Sequence, residues 1–261
     1  MGSQALQGKL WGRQAQHWAD IQEPTAKSGY DFVLNALTIR PSTRLLDVGC
    51  GTGLFSKMAA DKGATITAID ATPEFIEITK KRVPSANVIV GEMEDLPFDD
   101  KSFDIVCGFN SFQYAANTKN ALVEAKRVLA DNGNLVTMIW GNKKDCEATS
   151  YLQAVGSLLP PPPPGAPGPF ALSENNLLEN ILKEIGFTKI NVTDVDSLWE
   201  YPAAAPALQG LLSAGPATKA IENSGYEKAY DTVVTAMQPY IQSNGHVVYR
   251  NKWRVVISEN S

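Results

Sequence analysis

Between residues 44 and 140 short apolar runs alternate with longer stretches of helical periodicity. The runs Arg44–Val48 (RLLDV), Ala64–Asp70 (ATITAID), Asn87–Val90 and Phe103–Phe109 (FDIVCGF) are β-rich and only a few residues long, as buried strands are. Leu135–Trp140 is a fifth, preceded by a turn at Asp131-Asn132-Gly133-Asn134. Leu54–Lys62 predicts a helix, and Thr72-Pro73-Glu74 reads as N-cap, first-turn proline and acidic first turn of another that runs to about Arg82. In Thr118–Ala130 the apolar residues Ala121, Leu122, Ala125, Val128 and Leu129 recur at helical spacing. Strands alternating with helices imply a mostly parallel sheet covered by helices on both faces.

After Trp140 the pattern changes. Residues 142–172 carry the run Pro160–Pro164, then Pro167 and Pro169, which reads as a stiff surface connection or lid edge. Regular structure resumes with a helix over Ser173–Ile185 capped by Ser173, a strand over Lys189–Val195, a helical stretch over Leu198–Asn244 and a last long strand, Val247–Ile257. The division expected is residues 1–40 as an N-terminal helical cap, 41–141 as a ligand-binding core, 142–172 as a proline-rich lid segment and 173–261 as the rest of the sheet, carrying a helical insertion at 198–245.

Composition narrows the classes of function. A net charge of −5 argues against nucleic acid as a partner. No apolar run is long enough to span a membrane, and the polar N-terminus lacks the core of a signal peptide. Cys50, Cys107 and Cys146 have no metal-ligand spacing and are odd in number, which fits free thiols in a cytoplasmic protein without a metal site.

The candidate chemistry lies at Leu45-Leu46-Asp47-Val48-Gly49-Cys50-Gly51-Thr52-Gly53, a strand, a glycine turn and a helix start. Glycines there let the backbone pass close to a ligand, and the helix start offers free N–H groups. A dinucleotide site would want G-x-G-x-x-G, but the third glycine position holds Leu54. The acid Asp47 before the glycines suits a ligand carrying positive charge.

On these residues, together with ITAIDATPEFI at 66–76, VGEMEDLPFDDKSFDIV at 90–106 and the segment from Ala125 to Trp140, the chain resembles the class I S-adenosylmethionine-dependent methyltransferases. The likeness is to the small-molecule branch that includes the ubiquinone and menaquinone C-methyltransferases. It implies a Rossmann-like sheet of about seven strands with the last antiparallel, and S-adenosylmethionine as cofactor. Carried over, it places Asp47, Gly49, Gly51 and Gly53 along the methionine half and Asp70 on the ribose hydroxyls. Ala71 and Thr72 would flank the adenine, Glu92 and Met93 would meet its edge, and Asn110 would lie near the methionyl amino group. Cys50, inside the turn, is counted with them as a cofactor contact, its thiol a small apolar filler and not a nucleophile.

Methyl transfer from a sulfonium needs alignment and exclusion of water more than a catalytic group. No general base stands out; His17 is the candidate, with His246 behind it. Trp11 and Trp18, seven apart, are expected on one face of a single helix, as anchors or as an aromatic wall near the sulfonium. Tyr30, Phe112, Gln113, Tyr114 and Trp140 are candidate acceptor contacts at strand ends on the carboxyl side. Asn110-Ser111-Phe112-Gln113 lacks the prolines of the enzymes that methylate base or amide nitrogen, so the acceptor expected is a small molecule. Two alternatives stand beside methyl transfer: a methyltransferase-like regulator or cyclase that binds the cofactor without using its methyl, and a nicotinamide-dependent oxidoreductase.

Overall fold

A computed structural model describes residues 2–161 and 168–260. Its centre is one seven-stranded sheet in the order β3-β2-β1-β4-β5-β7-β6. The strands are β1 (Arg44–Val48), β2 (Thr65–Asp70), β3 (Asn87–Val90), β4 (Phe103–Phe109), β5 (Leu129–Trp140), β6 (Phe187–Tyr201) and β7 (Val247–Asn260). The pairs among β1 to β5 are all parallel, and β7 runs antiparallel to both β5 and β6. The Rossmann-like, mostly parallel arrangement expected from the alternating pattern is the one observed.

The helices are α1 (Gln4–Gly12), the short α2 (Ala15–His17), α3 (Lys27–Ala36), α4 (Leu54–Asp61), α5 (Pro73–Arg82), α6 (Thr118–Val128), α7 (Thr149–Ser157), α8 (Leu177–Glu184), α9 (Ala204–Leu212), α10 (Gly215–Ser224) and α11 (Tyr226–Met237). Strand residues of successive parity bury two opposite faces. Leu45, Ile105, Cys107, Val136 and Met138 pack with α3 and α4, and the same core continues to α7 and α9–α11. Leu46, Val106, Leu135 and Ile139 pack with α6 and α8 on the other side. No helix among the described residues is long and apolar enough to cross a membrane.

Several expected boundaries move. Leu198–Tyr201 is strand, not the start of the helical insertion, because Leu198, Trp199, Glu200 and Tyr201 pair with Arg250, Tyr249, Val248 and Val247 of β7. The helices after it begin at Ala204. Ser173 does not cap a helix; its Oγ donates to the Trp140 carbonyl at 2.6 Å, and the chain breaks at Glu174–Asn176 before α8. β5 begins earlier than expected, with the Asp131–Asn134 turn absorbed as a bulge between the pairs Phe103–Leu129 and Ile105–Asn134. Of the run Pro160–Pro164, residues 162–164 lie outside the described residues, as does Pro167.

Candidate functional site

The turn after β1 is held open by three left-handed glycines, Gly49, Gly51 and Gly53, at φ 71°, 56° and 82°. Such φ values disfavour any side chain. The amides of Gly49 and Cys50 both donate to the Ile69 carbonyl, at 2.8 and 3.1 Å, which pins the turn to β2. A Cβ on Gly49 would stand 2.4 Å from the Cβ of Ser111, whose hydroxyl donates to the Val48 carbonyl at 2.7 Å. The turn is therefore gripped from β2 on one side and from the loop after β4 on the other.

Asp70 ends β2 beside this turn. Its two carboxylate oxygens accept from the backbone N–H of Gly51 and of Thr72, each at 2.9 Å. Burial pushes its carboxyl up to about 6, opposed by those two N–H bonds. A carboxylate has about four lone-pair sites, so a pair of vicinal hydroxyls could still be accepted here. Asp47 is more deeply placed: its Oδ2 accepts from Ser56 Oγ at 2.7 Å, and Cys107 Sγ lies 3.8 Å from Oδ1. Burial, reinforced by the negative charges of Glu23 and Asp70, raises it to about 7. Its carboxylate ties β1 to α4 under the turn as well as bordering the cavity.

The cavity beside the turn opens at the carboxyl ends of the strands. Ligands bind at this edge in open α/β sheets. Asp47, Gly49, Cys50, Gly51, Asp70, Ala71, Thr72, Met93 and Asn110 all border it, and so do Trp11, Trp18, Tyr30, Tyr114 and Trp140. Asn110 holds a left-handed φ of 53°, uncommon for a residue with a side chain, while its amide donates to the Met138 carbonyl at 2.7 Å.

Six expected positions fall elsewhere. Glu92 does not border the cavity; its Oε2 accepts from the Gln4 amide at 2.8 Å and its Oε1 lies 3.4 Å from Ser3 Oγ, so it caps α1. A carboxylate is well suited to a helix N-terminus. Gly53 starts α4 and its missing side chain makes room for Thr79. Phe112 is buried beneath α6 in the second core, and the Gln113 carboxamide is spent on Asn110 Oδ1. His17 stands outside the cavity wall, and His246 is a surface residue beside Glu200, 3.0 Å from its Oε1.

The N-terminal segment covers the site differently from expectation. Trp11 and Trp18 do not share a helix, because α1 ends at Gly12 and the chain turns before α2. Their rings nevertheless meet edge to face with centroids 4.8 Å apart. Trp18 opens a π-turn, Trp18–Gln22, and its indole Nε1 is buried without a hydrogen-bond partner. Gly8 lies so close to Ala71 that a Cβ there would meet the Ala71 carbonyl at 2.4 Å, which lets α1 press onto the end of β2.

The sequence reading missed Glu23. It is 3% exposed, and its carboxylate accepts from the Thr52 amide at 3.0 Å, from Thr52 Oγ1 at 2.5 Å and from Arg82. Burial raises its pKa against the pull of the Arg82 guanidinium. It also missed Trp199 and Trp253. Trp253 pairs across strands with Trp140, their ring centroids 4.7 Å apart, and Trp199 lies 5.4 Å from Trp140. Tyr151, whose hydroxyl donates to the Leu211 carbonyl at 2.6 Å, borders the same end. Only strand pairing between distant segments could have revealed this group.

Residues 46–137 match the model of a family described as a methyltransferase domain. The chain is 33% identical over 93 residues to a malonyl-[acyl-carrier protein] O-methyltransferase of Serratia marcescens, a match covering 36% of each chain. It is 36% identical over 105 residues to a demethylmenaquinone methyltransferase of Renibacterium salmoninarum, covering 40% of this chain and 44% of the relative. The chain thus spans less than half the length of these relatives. The fold is similar to that of a proposed methyltransferase from Bacillus halodurans C-125, with a TM-score of 0.60 at 14% identity over 89% of this chain and 99% of the other.

Proposed function

We propose, for a chain whose residues 46–137 form a methyltransferase domain, that it binds S-adenosylmethionine and methylates an uncharged small molecule. One observation carries the cofactor half of the proposal. Asp70 is a buried carboxylate held at a strand end by two backbone N–H groups, with acceptor sites to spare and a turn of three left-handed glycines beside it. The residues fit the cofactor. Asp70 would take the ribose hydroxyls, Ala71, Thr72 and Met93 would border the adenine, and the backbone of Gly49 and Gly51 would pass along the methionine half, with Asn110 and Trp18 facing it.

When bound, the cofactor supplies a methyl group on a good sulfur leaving group. The protein's part is then to align the acceptor and keep water out. The only charged residues bordering the cavity, among those described, are Glu23, Asp47 and Asp70, all at the end formed by β1, β2 and the N-terminal segment. The opposite end is bordered by Trp140, Tyr151, Leu152, Trp199 and Trp253. An acceptor charge would lose its hydration there without a partner, which favours an uncharged, largely apolar acceptor. With His17 outside the wall, the described residues bordering that end include no histidine and no carboxylate. The buried thiols of Cys50, Cys107 and Cys146 fit a reducing, cytoplasmic setting.

The test is calorimetric titration with S-adenosylhomocysteine and with NAD, followed by transfer of radiolabelled methyl to fractionated metabolite extracts. Binding of S-adenosylhomocysteine alone and label in neutral organic fractions is the expected result. NAD binding in its place overturns the cofactor assignment, and tight binding with no label in any fraction overturns transfer.

A further inference from the structure

A buried carboxylate and a partly buried guanidinium join three pieces of chain that are distant in sequence. Glu23 belongs to the segment laid over the cavity, Thr52 lies between two left-handed glycines of the turn, and Arg82 ends α5. Arg82 Nη1 meets Glu23 Oε2 and also donates to the Thr52 carbonyl at 3.1 Å and hydroxyl at 3.0 Å, while Nη2 donates to the Ala19 carbonyl, inside the π-turn, at 3.0 Å. Thr52 has no exposed surface. Its amide and hydroxyl are both consumed by Glu23.

The same segment that delivers Glu23 delivers Trp18. A Cβ on Gly51 would come within 3.2 Å of Glu23 Oε1 and 3.6 Å of Trp18 Nε1, so the covering segment sits directly over the residue whose amide holds Asp70. A π-turn is a register irregularity within a helical segment and is often found at functional sites. Here it sets Trp18 and Glu23 against neighbouring points of the glycine turn. We propose that Glu23 and Arg82 are a positioning pair that makes closure of residues 15–26 and shaping of the glycine turn one event, to which cofactor binding is coupled. The inference rests on the cofactor reading above.

The coupling follows from linkage. A ligand that touches both the turn and the covering segment binds the closed form more tightly than the open one. Apparent affinity falls with the fraction of molecules that are closed, so a change that opens much of the population weakens binding, and ligand draws that population back to the closed form. Glu23→Gln removes the charge but keeps the shape, leaving the Arg82 cation without its counter-charge.

The experiment measures S-adenosylhomocysteine affinity by calorimetry, together with amide hydrogen exchange of residues 15–26 and 49–53, with and without that ligand. In Glu23→Gln we expect affinity to fall about ten-fold, with exchange in those two segments rising together and returning to the wild-type level at saturating ligand. Exchange in β4 and β5 should not change. The double variant Glu23→Gln/Arg82→Gln should recover part of the lost affinity, since it leaves no unpaired charge under the covering segment. Thr52→Val, which removes only the hydroxyl, should lose about three-fold and serves as the milder probe if Glu23→Gln does not fold. Unchanged affinity in the variants, or exchange that rises evenly through the core regardless of ligand, overturns the coupling and leaves the cofactor reading standing. A wild-type chain that does not bind S-adenosylhomocysteine overturns both.

Discussion

On β1 and β2 the cavity is walled by carboxylates and by the backbone of a glycine turn whose N–H groups are themselves hydrogen-bonded; across β4, on β5, β7 and β6, the same sheet presents indole rings. The first wall is local. Asp70 meets Gly51 and Thr72, and each contact lies within a strand–turn–helix unit or between two neighbouring units. The second is assembled from residues 140, 199 and 253, which meet only because β7 enters the sheet between β5 and β6. A wall of directed hydrogen bonds recognises one ligand closely. A wall of stacked rings excludes water and accepts a range of apolar shapes. Retaining one cofactor while the acceptor changes is what such a division allows.

The comparison can be broken from either side. Gly49→Ala forces a side chain into a left-handed φ and into the Cβ of Ser111, and should cost about 3 kcal/mol of stability, read as a lowered urea midpoint. A midpoint within experimental error of wild type would mean that the turn is not gripped as described. Asp70→Ala should weaken S-adenosylhomocysteine binding about 50-fold, roughly 2.3 kcal/mol, as two bonds to a charged acceptor are lost. Trp253→Ala should act on the other half alone. It should lower transfer at limiting acceptor about ten-fold while S-adenosylhomocysteine affinity stays within about two-fold. Equal loss of both would show that the two walls are not independent.

The smallest expected effect is with pH. With its carboxyl raised to about 6, Asp70 in the ligand-free protein is mostly ionised above that pH and mostly protonated below it. Hydroxyl donors need the ionised form, so affinity should be flat from pH 8 to 7, fall about two-fold by pH 6 and then about ten-fold per further unit. Asp70→Asn should remove this slope. A wild-type profile that is flat down to pH 5 would place the cofactor's hydroxyls on another group.

Much of the first wall was legible in the sequence, because its signals are local: three glycines at alternate positions, an acid at the end of the next strand, and a proline-started helix. Where local reading failed, a more distant partner had claimed the side chain. Glu92 stands where an adenine contact was expected, but the Gln4 N–H at the start of α1 takes its carboxylate. Phe112 and Gln113 follow the strand end as acceptor contacts would, yet α6 buries one and Asn110 occupies the other. Leu198–Tyr201 looked helical because its neighbours are rich in alanine, until β7 supplied a ladder for it. Glu23 carried no sequence signal at all. A lone acid beside a proline is ordinary, and only the fold brings it to Thr52 and Arg82.

The sequence by itself determined the parallel core, the glycine turn and the acid beside it, since hydrophobic period and backbone sterics act over a few residues and need no partner to be read. Tertiary structure alone decided which tryptophans form the second wall, which carboxylates stay available and how the N-terminal segment closes on the turn. Those outcomes depend on contacts between residues tens to more than a hundred positions apart, and no local pattern encodes which of several distant partners a buried polar group will find.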